Sequence, residues 1–258
     1  MCRWLTYRGP AIHMDELIFK PQHSLIEQAL HADEAKSATN GDGFGVGWFS
    51  ERDEPGLYHE ILPAWNDSNL KSLAYQIKAK SFFAHVRAST GTSTSRSNCH
   101  PFSYKDWLFM HNGQIGNYLQ LRRKLEGLLP DDLYSKRQGT TDSEVIFYLM
   151  VANGLEVDPV KSIEKTIEQV MGLMKDIGAS QPFRLTAPYS DGKRFYAARF
   201  SSDDAQPTLY YNRDGGALTV VSEPLDRDTA SWEIVPPSSI LISEGVDEIS
   251  ILPLKIAA

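Results

Sequence analysis

The chain begins and ends in short apolar stretches of strand type and carries helical spacing through its middle. Residues 2–8 predict a strand ended by Gly9-Pro10, which would hold Cys2 at a sheet end instead of on a frayed tail. Ser24-Leu25-Ile26-Glu27 has capping-box spacing and opens an amphipathic helix to about Ala35. Residues 40–48 run alternate glycines, Gly41, Gly43, Gly45 and Gly47, into the apolar strand Phe44 to Phe49. Arg52 to Gly56 is a polar turn leading to a short strand at 57–62, a hairpin pattern. Leu70, Leu73 and Ile77 give residues 67–80 a helical stripe, with Asp67 or Ser68 as the cap. Phe82 to Arg87 reads as a buried strand that runs into a polar loop, Ala88 to Asn98. A second buried strand, Trp107 to Met110, ends at His111-Asn112-Gly113.

Helices follow. Gln114 to Leu129 is closed by Pro130, and Gly139 to Glu144 precede an apolar helix from Val145 to Ala152. A third spans Pro159 to about Ile177, with proline in its first turn and Gly178 at its end. Residues 183–255 return to short strands, separated by turns at Asp191-Gly192, Asn212 to Gly216, Pro236-Pro237 and Glu244-Gly245. No internal repeat or linker interrupts the order strands, helices, strands. It predicts one α+β domain over residues 2–258, with two sheets packed together.

Composition narrows the function. At 258 residues, 41% hydrophobic and 23% charged, the chain is ordinary for a globular protein with a real core. A net charge of −7 argues against a nucleic-acid or anionic-membrane binder, which needs a basic stripe. No apolar run approaches the ~18 residues that span a bilayer, and no basic-then-apolar signal pattern opens the chain. Two cysteines, Cys2 and Cys99, cannot form a disulfide framework and suit the reducing cytoplasm. No CxxC or HExxH spacing suggests a metal, and no cofactor is expected. The glycine motif fits neither a GxGxxG dinucleotide turn nor a phosphate loop ending in GK[ST]. It predicts a strand that another backbone or a ligand approaches closely.

Four places offer chemistry. Cys2 stands directly behind Met1. Removal of Met1 would leave a thiol and a free α-amino group on one residue, a nucleophile beside a base of pKa roughly 7.7–8.0. Asn112 and Gly113 can offer a side-chain amide and a backbone N–H, a two-donor oxyanion hole, although an Asn-Gly pair is also an ordinary turn. Arg87, at a strand end beside Ser89-Thr90-Gly91, can fork onto a carboxylate, or serve as a surface or ion-paired arginine. Asp142, at a helix start, can bind an ammonium group, or serve as an N-cap. One cation and one anion together match the α-carboxylate and α-ammonium of an amino acid.

These residues, with Ala84-His85-Val86-Arg87, Asn98-Cys99-His100-Pro101-Phe102 and Thr141-Asp142-Ser143-Glu144, occur in one characteristic order. In that order the chain resembles the class II glutamine amidotransferases, a family of N-terminal-nucleophile hydrolases. The resemblance covers residues 2 to about 150, and the strand-rich remainder fits the second half of the fold. It implies a four-layer αββα sandwich, a stand-alone glutaminase domain over residues 2–258, and hydrolysis of glutamine or a γ-glutamyl compound. Cys2 would be the nucleophile, Asn112 and Gly113 the oxyanion hole, Arg87 with Thr90 the α-carboxylate site, and Asp142 the α-ammonium site. The loop at 88–98 would be a lid. Members fused to synthase domains often carry Trp after this arginine, where this chain has Ala88. A separate synthase or peptidase subunit is a possible partner. Cys99, beside His100, is the rival nucleophile, but adjacent side chains on an extended segment point apart, and it lacks the amine. A non-catalytic interaction or sensor protein on the same fold is the alternative of another class.

Overall fold

The computed structural model describes residues 2–34, 39–89, 93–227, 229–245 and 248–256. In chain order the elements are β1 (Arg3–His13), α1 (Asp15–Ile18), α2 (Leu25–Leu30), β2 (Phe44–Phe49), β3 (Gly56–Glu60), α3 (Ser68–Gln76) and β4 (Lys78–Val86). Next come β5 (Phe102–Tyr104), β6 (Trp107–Phe109), β7 (Asn112–Gln114), α4 (Tyr118–Glu126), α5 (Asp131–Tyr134), α6 (Asp142–Ala152) and α7 (Pro159–Asp176). The chain then forms β8 (Arg184–Ser190), β9 (Phe195–Ser201), β10 (Tyr210–Asp214), β11 (Ala217–Val221), β12 (Glu233–Ile234), β13 (Ser239–Ser243) and β14 (Ile249–Pro253). Among the described residues, one sheet has the order β12-β10-β11-β1-β4-β2-β3. The other has the order β14-β13-β9-β8-β6-β5, with β7 also paired to β8. All the pairings are antiparallel.

Period-two alternation on β1 separates two cores. Leu5 and Tyr7 face outward with Phe82, Ala84, Phe44 and Val46, and are covered by Leu25 and Ala29 of α2 and Leu70 and Ala74 of α3. Trp4 faces inward with Phe83, and meets Leu108, Phe195, Ala197 and Leu241 of the second sheet. The far face of that sheet, including Phe109, Leu185, Ala187 and Tyr189, is covered by α4, α6 and α7. Val145 to Met150 of α6 are all buried, because the helix lies inside this layer instead of on its surface. The result is the expected four-layer αββα sandwich. Among the described residues no helix is long and apolar enough to cross a membrane.

Several boundaries differ from the sequence expectation. β1 continues through Gly9-Pro10 to His13, with a register shift between Arg8 and Ile12. β11 pairs with β1 only as far as Arg8, so the missing N–H of Pro10 costs no ladder bond on that side. α2 ends at Leu30, and Ala35 lies outside the described residues. The helix expected to reach residue 80 stops at Gln76, because Lys78 and Ala79 pair with His13 and Ile12. Long-range pairing overrides a local helical stripe there. Asn112-Gly113 is not a turn but the start of β7, paired with Thr186 and Leu185. The following helix therefore begins only at Tyr118, after Asn117 in the left-handed region. The cap of α6 is Thr141, whose Oγ1 accepts from the Glu144 N–H, so Asp142 is the first helical residue and not the cap.

Candidate active site

Cys2 directly precedes β1, Arg87 directly follows β4, and Arg3 pairs with Val86. Two sequence-distant residues are thereby set side by side at one end of the first sheet. The second sheet contributes Asn112 and Gly113, and the first turn of α6 contributes Asp142. All five line one cavity of about 520 Å³. Thr90, the sixth residue expected there, lies outside the described residues.

Cys2 is half-buried, and its Sγ receives the Ala88 N–H at 3.4 Å. Burial pushes the thiol pKa up, and the Ala88 backbone bond and the Arg87 and Arg3 charges oppose that rise. Its backbone is anchored by its neighbours. Arg3, fully buried on the other face, pairs with Glu223 at 3.2 Å, and the Trp4 N–H donates to Ser222 Oγ at 3.0 Å.

Asn112 Nδ2 donates to the Cys2 carbonyl oxygen at 2.9 Å. Gly113 has φ +139°, and a Cβ there would overlap the Arg184 carbonyl on β8, so only glycine fits. His111, also on the cavity wall, is locked between two partners. Its Nε2 lies 3.2 Å from the Arg184 carbonyl and its Nδ1 2.8 Å from Ser143 Oγ. A carbonyl only accepts, so Nε2 carries the proton and Nδ1 accepts from the Ser143 hydroxyl. Burial lowers the His111 pKa and favours this neutral form. Asp142 Oδ2 accepts from the Ile115 N–H at 2.8 Å, and Oδ1 from the Ser143 N–H at 2.9 Å. Ser143 thus ties the carboxylate of Asp142 to the residue before the Asn112-Gly113 pair.

Arg87 is buried at its place on the cavity wall. Its Nη1 donates to the Asp42 carbonyl at 3.1 Å, and its Nη2 to Ser89 Oγ and the Ser93 carbonyl, each at 3.3 Å. The glycines of the neighbouring motif serve close packing, not phosphate binding. A Cβ on Gly45 would overlap the His100 carbonyl, and one on Gly47 would press on Pro101 and Leu108. His100 lines the cavity, and its ring packs against His85 at a 30° tilt with centroids 4.2 Å apart. Burial holds both imidazoles neutral, His85 at about 3 and His100 well below its usual value.

Cys99 is fully buried and its Sγ lies 3.5 Å from the carbonyls of Glu60 and Ser95. Burial pushes its thiol up to about 11, a poor thiolate source. Among the described residues, His23, Asp33 and Glu223 form the one cluster with metal-ligand spacing. Glu223 is already spent on Arg3, His23 and the N–H groups of Asp33 and Glu34. The sequence reading missed Ala88, Asp42, His111 and Ser143. Ala88 acts through its backbone and carries no side-chain signal. His111 and Ser143 stood inside quoted motifs, but their contact joins segments 32 residues apart.

The sequence model of the family described as "Glutamine amidotransferases class-II" matches residues 21–213. The chain belongs to the class-II glutamine amidotransferases. Within that family it is 32% identical to the "Probable glutamine amidotransferase DUG3" of Saccharomyces cerevisiae, over 93% of this chain and 81% of that protein. It is 27% identical to the "Gamma-glutamyl-hercynylcysteine sulfoxide hydrolase" of Mycolicibacterium smegmatis, over 92% of each chain. Among solved structures, a glutamine aminotransferase class-II domain protein from Silicibacter pomeroyi superposes with a TM-score of 0.80 at 33% identity, over all of both chains. The amidotransferase family accounts for both the sandwich and the order of the motifs.

Proposed function

We propose that the chain, with residues 2–258 acting as one glutaminase domain, hydrolyses the γ-amide of glutamine or of a γ-glutamyl compound through a thioester on Cys2. The products are glutamate and ammonia or an amine. The observation that carries this reading is the meeting of Cys2, Asn112, Gly113, Arg87 and Asp142 on one cavity. The site is complete once Met1 is removed. The Cys2 thiol proton then passes to the α-amino group as Sγ attacks the γ-carbonyl carbon. The Asn112 amide and the Gly113 N–H hold the resulting oxyanion. As the C–N bond breaks, the ammonium proton passes to the leaving nitrogen. Water, deprotonated by the same amine, attacks the thioester carbon and frees glutamate and the thiol. Arg87, helped by Thr90, takes the substrate α-carboxylate, and Asp142 takes its α-ammonium.

A second reading is that the leaving group is larger than ammonia, as in a γ-glutamyl peptide or conjugate. It is favoured by a cavity that extends past the five residues onto Ile115, Asn117 to Gln120 and Gln181. Its volume lies within the ~300–1,000 Å³ of small-molecule sites. A separate synthase or peptidase subunit receiving the released ammonia or amine is the partner proposed for either reading. The reducing cytoplasm is the location proposed for a chain whose two cysteines are free thiols. The test is glutamate release from glutamine, glutathione and other γ-glutamyl compounds, with Cys2→Ala as control. Release by wild type alone is expected, and equal release by both proteins overturns the proposal.

A further inference from the structure

We infer that Asp42 is a positioning residue for the carboxylate end of the site, setting Arg87 through a closed ring of contacts with Arg87 and Ser89. The inference rests on the reading of Arg87 as the α-carboxylate ligand. Arg87 stands where β4 leaves the sheet, so its side chain needs other restraints than the ladder. The glycine motif supplies them. The Asp42 N–H donates to the Arg87 carbonyl and the Arg87 N–H to the Gly43 carbonyl, both at 2.9 Å, which carries the β2–β4 ladder one step past Val86. The Asp42 carbonyl accepts from Arg87 Nη1 at 3.1 Å. The Asp42 carboxylate reaches past the arginine, and its Oδ2 accepts the Ser89 N–H at 2.7 Å. Ser89 Oγ in turn accepts from Arg87 Nη2 at 3.3 Å. Both ends of the guanidinium are therefore referred to Asp42, one directly and one through Ser89.

Gly43 makes the arrangement possible. Its φ is +107°, and a Cβ there would come within 2.8 Å of Cys99 Sγ and of the Glu60 carbonyl. Asp42 does not line the cavity among the described residues, whereas Arg87 and Ser89 do. The backbone of Asp42 holds Arg87 directly, and its side chain, which touches no substrate, holds Ser89 and through it Arg87 Nη2, so its loss acts on binding more than on chemistry.

The experiment compares Asp42→Ala, Asp42→Asn and Arg87→Ala, with glutamine as substrate and glutamate as competitive inhibitor. Asp42→Ala is expected to raise KM and the glutamate Ki in parallel by about tenfold, with kcat nearly unchanged. Asp42→Asn keeps an oxygen for the Ser89 N–H and is expected to restore KM to about twice wild type. A purely structural role would lower the active fraction, reducing kcat at constant KM and Ki. That result in Asp42→Ala, or no change in KM, overturns the inference. Asp42→Asn as damaging as Asp42→Ala also overturns it, since the hydrogen-bond acceptor would then not be what counts. If Arg87→Ala itself leaves KM and Ki unchanged, the reading of Arg87 fails instead. If Arg87→Ala raises both and Asp42→Ala raises neither, the Asp42 inference alone fails.

Discussion

Asn112 donates its side-chain amide to the carbonyl oxygen of Cys2 across 2.9 Å. Cys2 precedes β1 of one sheet and Asn112 opens β7 of the other, so this bond fixes the spacing between the proposed nucleophile and the proposed oxyanion donor. An amide NH₂ has two donors, and one N–H suffices for the tether. The other is the one proposed to meet the oxyanion. Asn112→Ala is expected to lower kcat about 10²- to 10³-fold, the usual loss for one oxyanion donor, with little change in KM. Steady-state kinetics measure it, and a change confined to KM contradicts the role.

Arg87 and Asp142 are assigned to opposite charges of one amino-acid head group. Removing either leaves a substrate charge without its partner, a loss of about 1.5–3 kcal/mol for a charged hydrogen bond. Arg87→Ala and Asp142→Asn are each expected to raise KM at least about tenfold. A glutamine analogue without the α-ammonium is expected to show almost no added penalty in Asp142→Asn. Equal penalties for glutamine and the analogue would remove Asp142 from the ammonium site.

Arg3 and Glu223 form a pair buried on both sides, 3.2 Å apart, and Arg3 adjoins Cys2 in the chain. Glu223→Gln removes the charge that compensates a buried guanidinium. Breaking such a pair typically costs about 3–5 kcal/mol. Urea denaturation is expected to show a loss of this size, and a midpoint equal to wild type contradicts it.

His85 and His100 make stability depend on acid. In the folded chain their pKa values lie below the ordinary 6.5, His85 at about 3, because burial disfavours their charged forms. The unfolded chain therefore binds more protons once pH falls below about 6.5, and stability is lost from there down toward about 3. The slope approaches ~1.4 kcal/mol per pH unit for each histidine. Urea midpoints at pH 7.5 and 5.0 should differ accordingly, and substituting His85 by a non-titrating residue should reduce the difference. A midpoint independent of pH over that interval contradicts the account.

Most of the layering was legible in sequence because strand and helix periodicities are local. The site residues were legible as types in order: Cys2, Arg87, Asn112, Gly113 and Asp142 all reach one cavity. What the sequence did not carry was pairing at a distance. Asn112-Gly113 has the composition of a turn, yet β8 captures it as a strand. Lys78 and Ala79 follow a helical stripe, yet β1 captures them through His13 and Ile12. The contacts of Asp42 with Ser89 and of His111 with Ser143 join segments 47 and 32 residues apart, and neither leaves a local signature. The glycine motif predicts a strand open to close approach, and the approaching groups are His100 and Pro101.

Cys2 as the attacking group is tested most directly by labelling with a glutamine analogue that carries an electrophilic diazoketone in place of the amide. The wild-type protein, shown by intact mass to lack Met1, would be inactivated and its peptides mapped. One adduct on Cys2, prevented by excess glutamine or by the preferred γ-glutamyl substrate, is the predicted result. An adduct on Cys99, or full glutamate release by protein that retains Met1, would contradict it.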